Sequence, residues 1–121
     1  MRRLPALLWT VALLVACVLP GEYVPDVPVL SVDKLVHVGL FAVFGVLWLA
    51  VYPGRRGAVV AWGLALAVAI EGLQETLPIG RSGDVFDVLA DALGLALALG
   101  LAVWRQSRQA SGGAAVPPRR P

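Results

Sequence analysis

Residues 85–104 read VFDVLADALGLALALGLAVW, an apolar segment with two aspartates near its beginning. A transmembrane helix needs about 20 consecutive, predominantly apolar residues, and this segment supplies that length. The rest of the chain is similarly apolar, since 59% of its 121 residues are hydrophobic and only 15% are charged. Soluble domains usually carry about 25% charged residues. The composition therefore predicts a membrane protein rather than a soluble domain.

Four apolar runs, separated by short polar stretches, predict an all-α membrane protein with a bundle of four transmembrane helices and short loops. The predicted spans cover residues 4–20, 35–52, 57–74 and 85–104. The first and third runs need a few flanking residues to reach the lower limit of about 17 for a span. We expect residues 1–104 to form one transmembrane domain. Residues 105–121 are rich in Gly, Pro, Ser and Arg, which predicts a disordered cytoplasmic tail.

The first apolar run contains Cys17, the only cysteine, so the chain cannot form an internal disulfide. The letters LVAC at 14–17 follow a basic start and resemble a bacterial lipoprotein cleavage site. Val18 and Leu19 continue the apolar run where a lipoprotein tether would turn polar. We therefore expect a retained first helix, with cleavage as a signal peptide as the alternative.

The charges predict the orientation of the four helices. Basic residues mark the cytoplasmic side of a membrane protein, which places both termini of this multi-pass protein in the cytoplasm. Eight of the ten basic residues share that side: Arg2, Arg3, Arg55, Arg56, Arg105, Arg108, Arg119 and Arg120. All eight acids fall on the outer side, although acids contribute little to orientation: Glu22, Asp26, Asp33, Glu71, Glu75, Asp84, Asp87 and Asp91.

Polar residues from three segments meet at the predicted outer end. At about 100° per residue, Asp84, Asp87 and Asp91 fall on one stripe of the fourth helix, which Gly94 and Ala98 continue. Small residues mark close helix approach, so we expect this stripe to face the bundle, with Asp91 as the deepest acid. A polar binding pocket is predicted from these residues: Asp33, Lys34, His37, Glu71, Gln74, Arg81, Asp84, Asp87 and Asp91.

Single members of this pocket also have structural explanations. Acids such as Asp84 and Asp87 stabilise a helix N-terminus, and Asp33 could be an N-cap. His37 alone could be a satisfied structural histidine, and Glu75 is expected at the surface. Charged groups within a span cost about 2.5–3.5 kcal/mol each on insertion scales. The excess of acids over nearby cations could be relieved by protonation, by water or by a cation.

Three motifs, in this order, resemble the VanZ-like family of small membrane proteins. They are DKLVH at 33–37, E-x-x-Q at 71–74 and P-x-G-R-S-G-D-x-x-D-V-L-A-D-x-x-G at 78–94. One departure is Val38, because an aromatic residue often follows the motif histidine. The resemblance implies a multi-spanning helical protein whose polar signature is formed by these residues. It also implies a link to glycopeptide resistance, because the founding member is associated with low-level teicoplanin resistance.

Several function classes stay open on the sequence. The first hypothesis is a non-enzymatic envelope protein whose pocket binds a glycopeptide or a lipid-linked wall precursor. The second is a membrane enzyme acting on a phosphorylated isoprenoid or phospholipid, with a divalent cation held by carboxylates and His37 as base or nucleophile. A purely structural cluster is the third.

Other classes have less support in the sequence. An ion path lacks a polar continuation through the inner half of the bundle, and scattered basic residues give nucleic-acid binding little support. No cofactor other than the divalent cation is suggested, and membrane lipid is the expected environment. The oligomeric state stays open.

Overall fold

The computed structural model describes residues 3–19, 30–78 and 83–113. This part of the chain forms four helices and no strand: α1 (Arg3–Val18), α2 (Leu30–Val51), α3 (Arg56–Thr76) and α4 (Val85–Gly113). The predicted all-helical class is confirmed for these residues. Helices α2, α3 and α4 are each long and apolar enough to cross a membrane. Helix α1 has 16 residues, just below the lower limit of about 17 for a span.

Helices α2 and α4 form the centre of the bundle and make its most extensive contact. Helix α3 packs mainly against α4, and α1 packs against α2 and α3. The core between them is apolar, and its buried members are Leu13, Cys17, Phe41, Phe44, Ala67, Ile70 and Leu95. Large apolar side chains such as Leu35, Trp62 and Leu97 are exposed on the outer faces. Apolar residues on both the inner and the outer faces are what a helix bundle in lipid requires.

Small residues allow α2, α3 and α4 to approach closely. A Cβ added at Gly94 would lie 2.8 Å from the backbone nitrogen of Ala42, and one at Gly45 would lie 2.6 Å from the Cβ of Ala98. A Cβ at Gly63 of α3 would lie 2.8 Å from the Leu95 side chain. The prediction that Gly94 and Ala98 continue the stripe of aspartates into the bundle is confirmed.

Two indole hydrogen bonds hold α1 against α2. The Nε1 group of Trp9 donates to the backbone oxygen of Leu40 at 3.0 Å, and Nε1 of Trp48 donates to Oγ1 of Thr10 at 3.0 Å. In lipid, such polar contacts between helices are worth about 0.6 kcal/mol on average. They fix the rotation of α1, whose Leu13 and Cys17 enter the core.

Helix α2 begins earlier than expected. It starts at Leu30, so Asp33 lies in the first turn of the helix, and the expectation of an N-cap at this residue is wrong. An acid in the first turn still interacts favourably with the positive end of the helix dipole.

Helix α4 ends later than expected. It continues to Gly113, whereas disorder was predicted from residue 105. Residues 105–110 are Arg, Gln, Ser and Ala, which tolerate helix well, and paired glycines follow at 112–113. Arg108 also lies over the Trp104 ring, 4.7 Å from its centre. The predicted disorder is therefore wrong for residues 105–113. Residues 114–121 lie outside the described part of the chain.

Candidate functional site

Lys34 of α2 bridges two aspartates at the beginning of α4. Its Nζ lies 2.5 Å from Oδ2 of Asp84 and also contacts Oδ1 of Asp87. Asp84 additionally accepts a hydrogen bond at 2.9 Å from the backbone N–H of Phe86, and so caps the first turn of α4. The hydrogen bond from Lys34 is the main cause that lowers the pKa of Asp84, and the Phe86 amide adds to it. Asp84 thus both caps the first turn of α4 and forms an ion pair with Lys34.

His37 and Asp91 form a buried pair one turn deeper. Nδ1 of His37 lies 3.0 Å from Oδ1 of Asp91, and Nε2 lies 3.8 Å from Oδ2 of Asp87. His37 is 2% exposed, and Asp91 is fully buried. Asp91 is the least exposed acid among the described residues, in agreement with its expected depth. A carboxylate on each side of one imidazole fixes the ring in place.

The end of α3 binds the backbone at the start of α4. Oε2 of Glu71 accepts from the backbone N–H of Asp84 at 2.6 Å, and Oε2 of Glu75 accepts from the N–H of Gly83 at 3.0 Å. A Cβ at Gly83 would lie 3.0 Å from the backbone oxygen of Glu71, so this position favours glycine. Glu75 is exposed, as predicted, but it also holds the loop that enters α4.

Gln74 points towards α1. Its Nε2 donates to the backbone oxygen of Cys17 at 2.7 Å, and its side chain is 1% exposed. This bond links the end of α1 to the end of α3. The carbonyl of Cys17 was not foreseen as a partner, because a backbone acceptor leaves no signal in the sequence.

The structure brings most of the predicted pocket residues together at one end of the bundle. We define the polar cluster as the seven ionisable residues that meet there: Asp33, Lys34, His37, Glu71, Asp84, Asp87 and Asp91. Gln74 lies beside this set and joins α3 to α1. Arg81, which was also predicted to belong to the pocket, lies outside the described residues. The functional role of all these residues stays a prediction.

Two carboxylate oxygens of the polar cluster have no hydrogen-bond partner among the described residues. They are Oε1 of Glu71 and Oδ2 of Asp91, and both are buried. An unsatisfied buried polar group lowers stability by about 1–3 kcal/mol. A ligand or water that donates a hydrogen bond to these oxygens would therefore bind favourably. Within the polar cluster, the cationic side chains are Lys34 and His37, against five acids. The polar cluster is therefore suited to binding hydrogen-bond donors or cations.

Three members of the polar cluster have the spacing of metal ligands. One ligand atom each from Asp33, His37 and Asp87 lies within 4.8 Å of the others. Two carboxylates and an imidazole suit a divalent cation such as Mg²⁺, Mn²⁺ or Zn²⁺. Asp33 is exposed, whereas His37 and Asp87 are buried, so an ion could enter from the Asp33 side.

The polar cluster does not continue into the other half of the α2–α4 interface. Among the described residues, that half contains Gly45, Leu49, Leu95 and Ala98. No chain of ionisable groups crosses this part of the structure. A complete ion path through a single copy therefore finds no support in these helices.

A helical bundle with three helices long and apolar enough to cross a membrane, and an acidic cluster at one end, defines a class of small helical membrane proteins. Within that class, the chain matches the family model described as VanZ/LLP1 over residues 6–106. This match covers most of the chain, and the protein belongs to the VanZ/LLP1 family. Comparison with curated proteins and with solved structures gave no significant match. The resemblance carried by residues 33–94 is confirmed, and the family match also includes most of α1.

Proposed function

We propose that the protein crosses the bacterial cell membrane four times, with both termini in the cytoplasm and the polar cluster at the outer surface. The basic residues at the α2–α3 connection and beyond Trp104 support this orientation under the positive-inside rule. Leu13 and Cys17 of α1 belong to the core, which supports a retained first helix. Residues beside α1 would supply the remaining length for a span.

The polar cluster is proposed to bind a ligand of the cell envelope. One observation supports binding above all: the buried oxygens on Glu71 and Asp91 that lack partners within residues 3–19, 30–78 and 83–113. A cluster that only joined helices would gain most if every buried acceptor were paired. Membership of the VanZ/LLP1 family, together with the teicoplanin association of the founding VanZ-like member, suggests a glycopeptide or a lipid-linked wall precursor. Both offer amide and hydroxyl donors to these oxygens.

The binding proposal is tested by teicoplanin susceptibility in a strain lacking the gene and complemented with variants. Asp91→Asn keeps the size of the side chain, and we expect it to lower protection to the level of the deletion. Glu75→Gln is the matched control, because it removes the charge of an exposed acid at the same end of the bundle but keeps an amide oxygen that can accept from the Gly83 N–H. It should leave protection unchanged. Equal susceptibility of the deletion strain and the wild type would disprove the resistance function.

A purely structural cluster makes a different prediction in the same variants. Folded yield and unfolding midpoint in detergent would then account for every loss of protection. We expect Asp91→Asn to lose more protection than its folded yield explains. A protection level that follows folded yield across all variants would favour the structural alternative.

A second candidate function is a membrane enzyme that acts on a phosphorylated isoprenoid or phospholipid. It is favoured by the grouping of Asp33, His37 and Asp87 within the distance of metal ligands. Carboxylates and imidazole would hold the divalent cation, which would polarise a phosphate oxygen. A rise in the unfolding midpoint with Mg²⁺, Mn²⁺ or Zn²⁺, lost in Asp87→Asn, would support this site. Turnover of such a lipid by the purified protein must follow the same metal dependence.

A further inference from the structure

A second polar site lies at the opposite end of the bundle, beside the α2–α3 connection. A groove of about 340 Å³ runs there between α2, the start of α3 and α4. We call it the basic groove, and its residues fall into an apolar and a polar part. The apolar part contains Val46, Leu49, Ala50, Pro53, Ala98, Leu101 and Ala102, and the polar part contains Arg56, Arg105, Gln106 and Gln109.

The two parts of the basic groove follow each other along the helix axis. On α4, the lining residues run from Ala98 to Gln109, a distance of about 16 Å at 1.5 Å per residue. Apolar residues come first, and the polar ones begin at Arg105. Helix α4 reaches this far because it continues to Gly113. The groove therefore leads from the membrane interior to the membrane surface.

The polar part of the basic groove carries positive charge without acidic partners in the described part of the chain. The described acids lie at the other end of the bundle, and the ion pairs found involve Lys34 or His37. The Nη2 group of Arg56 donates to Oε1 of Gln106. A guanidinium has five N–H donors, so Arg56 keeps donors for a further acceptor.

The start of α3 adds to this positive potential. Helix α3 begins at Arg56, and its N-cap residue, Arg55, makes no side-chain hydrogen bond to the helix. The first backbone N–H groups of a helix and its dipole favour an anion. Arginine binds phosphate oxygens through paired N–H donors. The mouth of the basic groove is thus suited to a phosphate group.

We propose that the basic groove binds an anionic phospholipid, with its phosphate at Arg56 and Arg105 and one acyl chain along Leu49, Leu101 and Ala102. The apolar part distinguishes a lipid from a free phosphate ion, because an inorganic ion would gain nothing from it. Basic pockets between transmembrane helices are known to hold acidic headgroups. The bound lipid would join α3 to the end of α4, independently of any ligand at the polar cluster.

The proposal is tested by native mass spectrometry of the full chain in detergent, titrated with phosphatidylglycerol or with phosphatidylcholine. We expect specific retention of phosphatidylglycerol. Each arginine near an anionic surface contributes about 1 kcal/mol, or roughly a fivefold change in affinity. The Arg56→Gln/Arg105→Gln protein should therefore bind phosphatidylglycerol about 25-fold more weakly.

The matched control is Arg55→Gln/Arg108→Gln, which removes the same charge from two arginines that do not line the groove. It should bind phosphatidylglycerol as the wild type does. Ala102→Phe keeps every charge but fills the apolar part, and it should also weaken binding. This variant provides the test if the arginine variants fold poorly, as judged by circular dichroism.

Three results would overturn the proposal. Equal losses of phosphatidylglycerol affinity in the groove variant and the control would indicate a general effect of positive charge. Equal retention of phosphatidylcholine would show that the arginines do not select a headgroup with net negative charge. Competition by inorganic phosphate at the same concentration as the lipid would identify a site for the free anion only.

Discussion

The two halves of the α2–α4 interface are held together by different chemistry. Near the polar end, Lys34 and His37 of α2 contact Asp84, Asp87 and Asp91 of α4. In the other half, Gly45 faces Ala98, and the helices touch through backbone and small side chains. Gly94 lies between the two halves, where an added Cβ would meet the backbone of α2.

The difference shows where a ligand can be buried between α2 and α4. Gly45 and Ala98 bring the two helices too close for a ligand to lie between them. In the part of the chain that the structure describes, the polar half leaves two buried oxygens without partners. This lowers stability unless a ligand or water donates a hydrogen bond to them. Between these two helices, the small-residue half thus provides stability, while the polar half keeps the capacity to bind a buried ligand.

The largest effect is expected at the boundary, from Gly94→Ala. The new Cβ would lie 2.8 Å from the backbone nitrogen of Ala42 and 3.1 Å from the Cβ of Phe41. Because the backbone of α2 cannot move aside as a side chain can, we expect the unfolding free energy to fall by at least about 3 kcal/mol. Unfolding in mixed detergent micelles measures the change.

Gly100→Ala is the control on the same helix, since nothing lies within 4 Å of its Cβ position. Replacing glycine within a helix should stabilise the protein by about 0.5–1 kcal/mol. Similar losses in both glycine variants would show that the boundary between α2 and α4 is not close-packed.

A smaller loss of unfolding free energy is expected when the contacts of Asp91 in the polar half are removed. Asp91→Ala leaves the Nδ1 group of His37 buried without its partner, which should cost about 2 kcal/mol. Asp91→Asn retains a carbonyl oxygen that can accept from His37, and should cost less than about 1 kcal/mol. Measured unfolding free energies of the two variants should differ in this order, and the reverse order would exclude the proposed His37–Asp91 hydrogen bond.

A loss of about 1 kcal/mol is expected from Gln74→Leu, outside the α2–α4 interface. This change removes the hydrogen bond to the Cys17 oxygen but keeps a side chain of similar size. Since the bond ties α1 to α3, protease cleavage or hydrogen exchange near Cys17 should increase first. Unchanged exchange there would mean that packing of Leu13 and Cys17 alone holds α1.

The smallest effect concerns pH and Asp84, at the exposed edge of the polar half. Lys34 lowers the pKa of Asp84 below its ordinary value of 3.8. A lowered pKa in the folded state means that the stabilising contribution is present above the ordinary pKa and disappears as pH falls through the lowered one. The stability difference between wild type and Asp84→Asn should therefore begin to shrink below about pH 4 and disappear below the lowered pKa. A difference that does not shrink as the pH falls below about 4 would contradict this assignment.

Sequence patterns predicted which residues lie in the polar half, but they did not predict the backbone groups that surrounding side chains contact. Helical periodicity placed Asp87, Asp91 and Gly94 on one buried face, because side-chain direction in a helix follows from spacing alone. The partners of Gln74 and Glu75 are backbone groups of Cys17 and Gly83, and any sequence offers such groups at every residue. They become specific only when the helices are packed.

The basic groove was missed for a related reason. Its mouth needs Arg56 and Gln106 to meet, and this depends on α4 continuing past Trp104. Charged residues after an apolar run fit either a solvated helix or a disordered tail, and the nearby Gly and Pro residues favoured the second. The two arginine-bearing segments lie 50 residues apart in the chain, so no local motif joins them.

The long separation between His37 and Asp91 has a consequence for biosynthesis. The two residues are 54 positions apart, and ribosomes add roughly 5–20 residues per second. Helix α2 therefore exists for several seconds before its acidic partners on α4 have been made. During that interval Lys34 and His37 lack their partners on α4. Assembly of this bundle thus ends with α4, the last of the four described helices to be synthesised and the one that supplies the acids contacting Lys34 and His37.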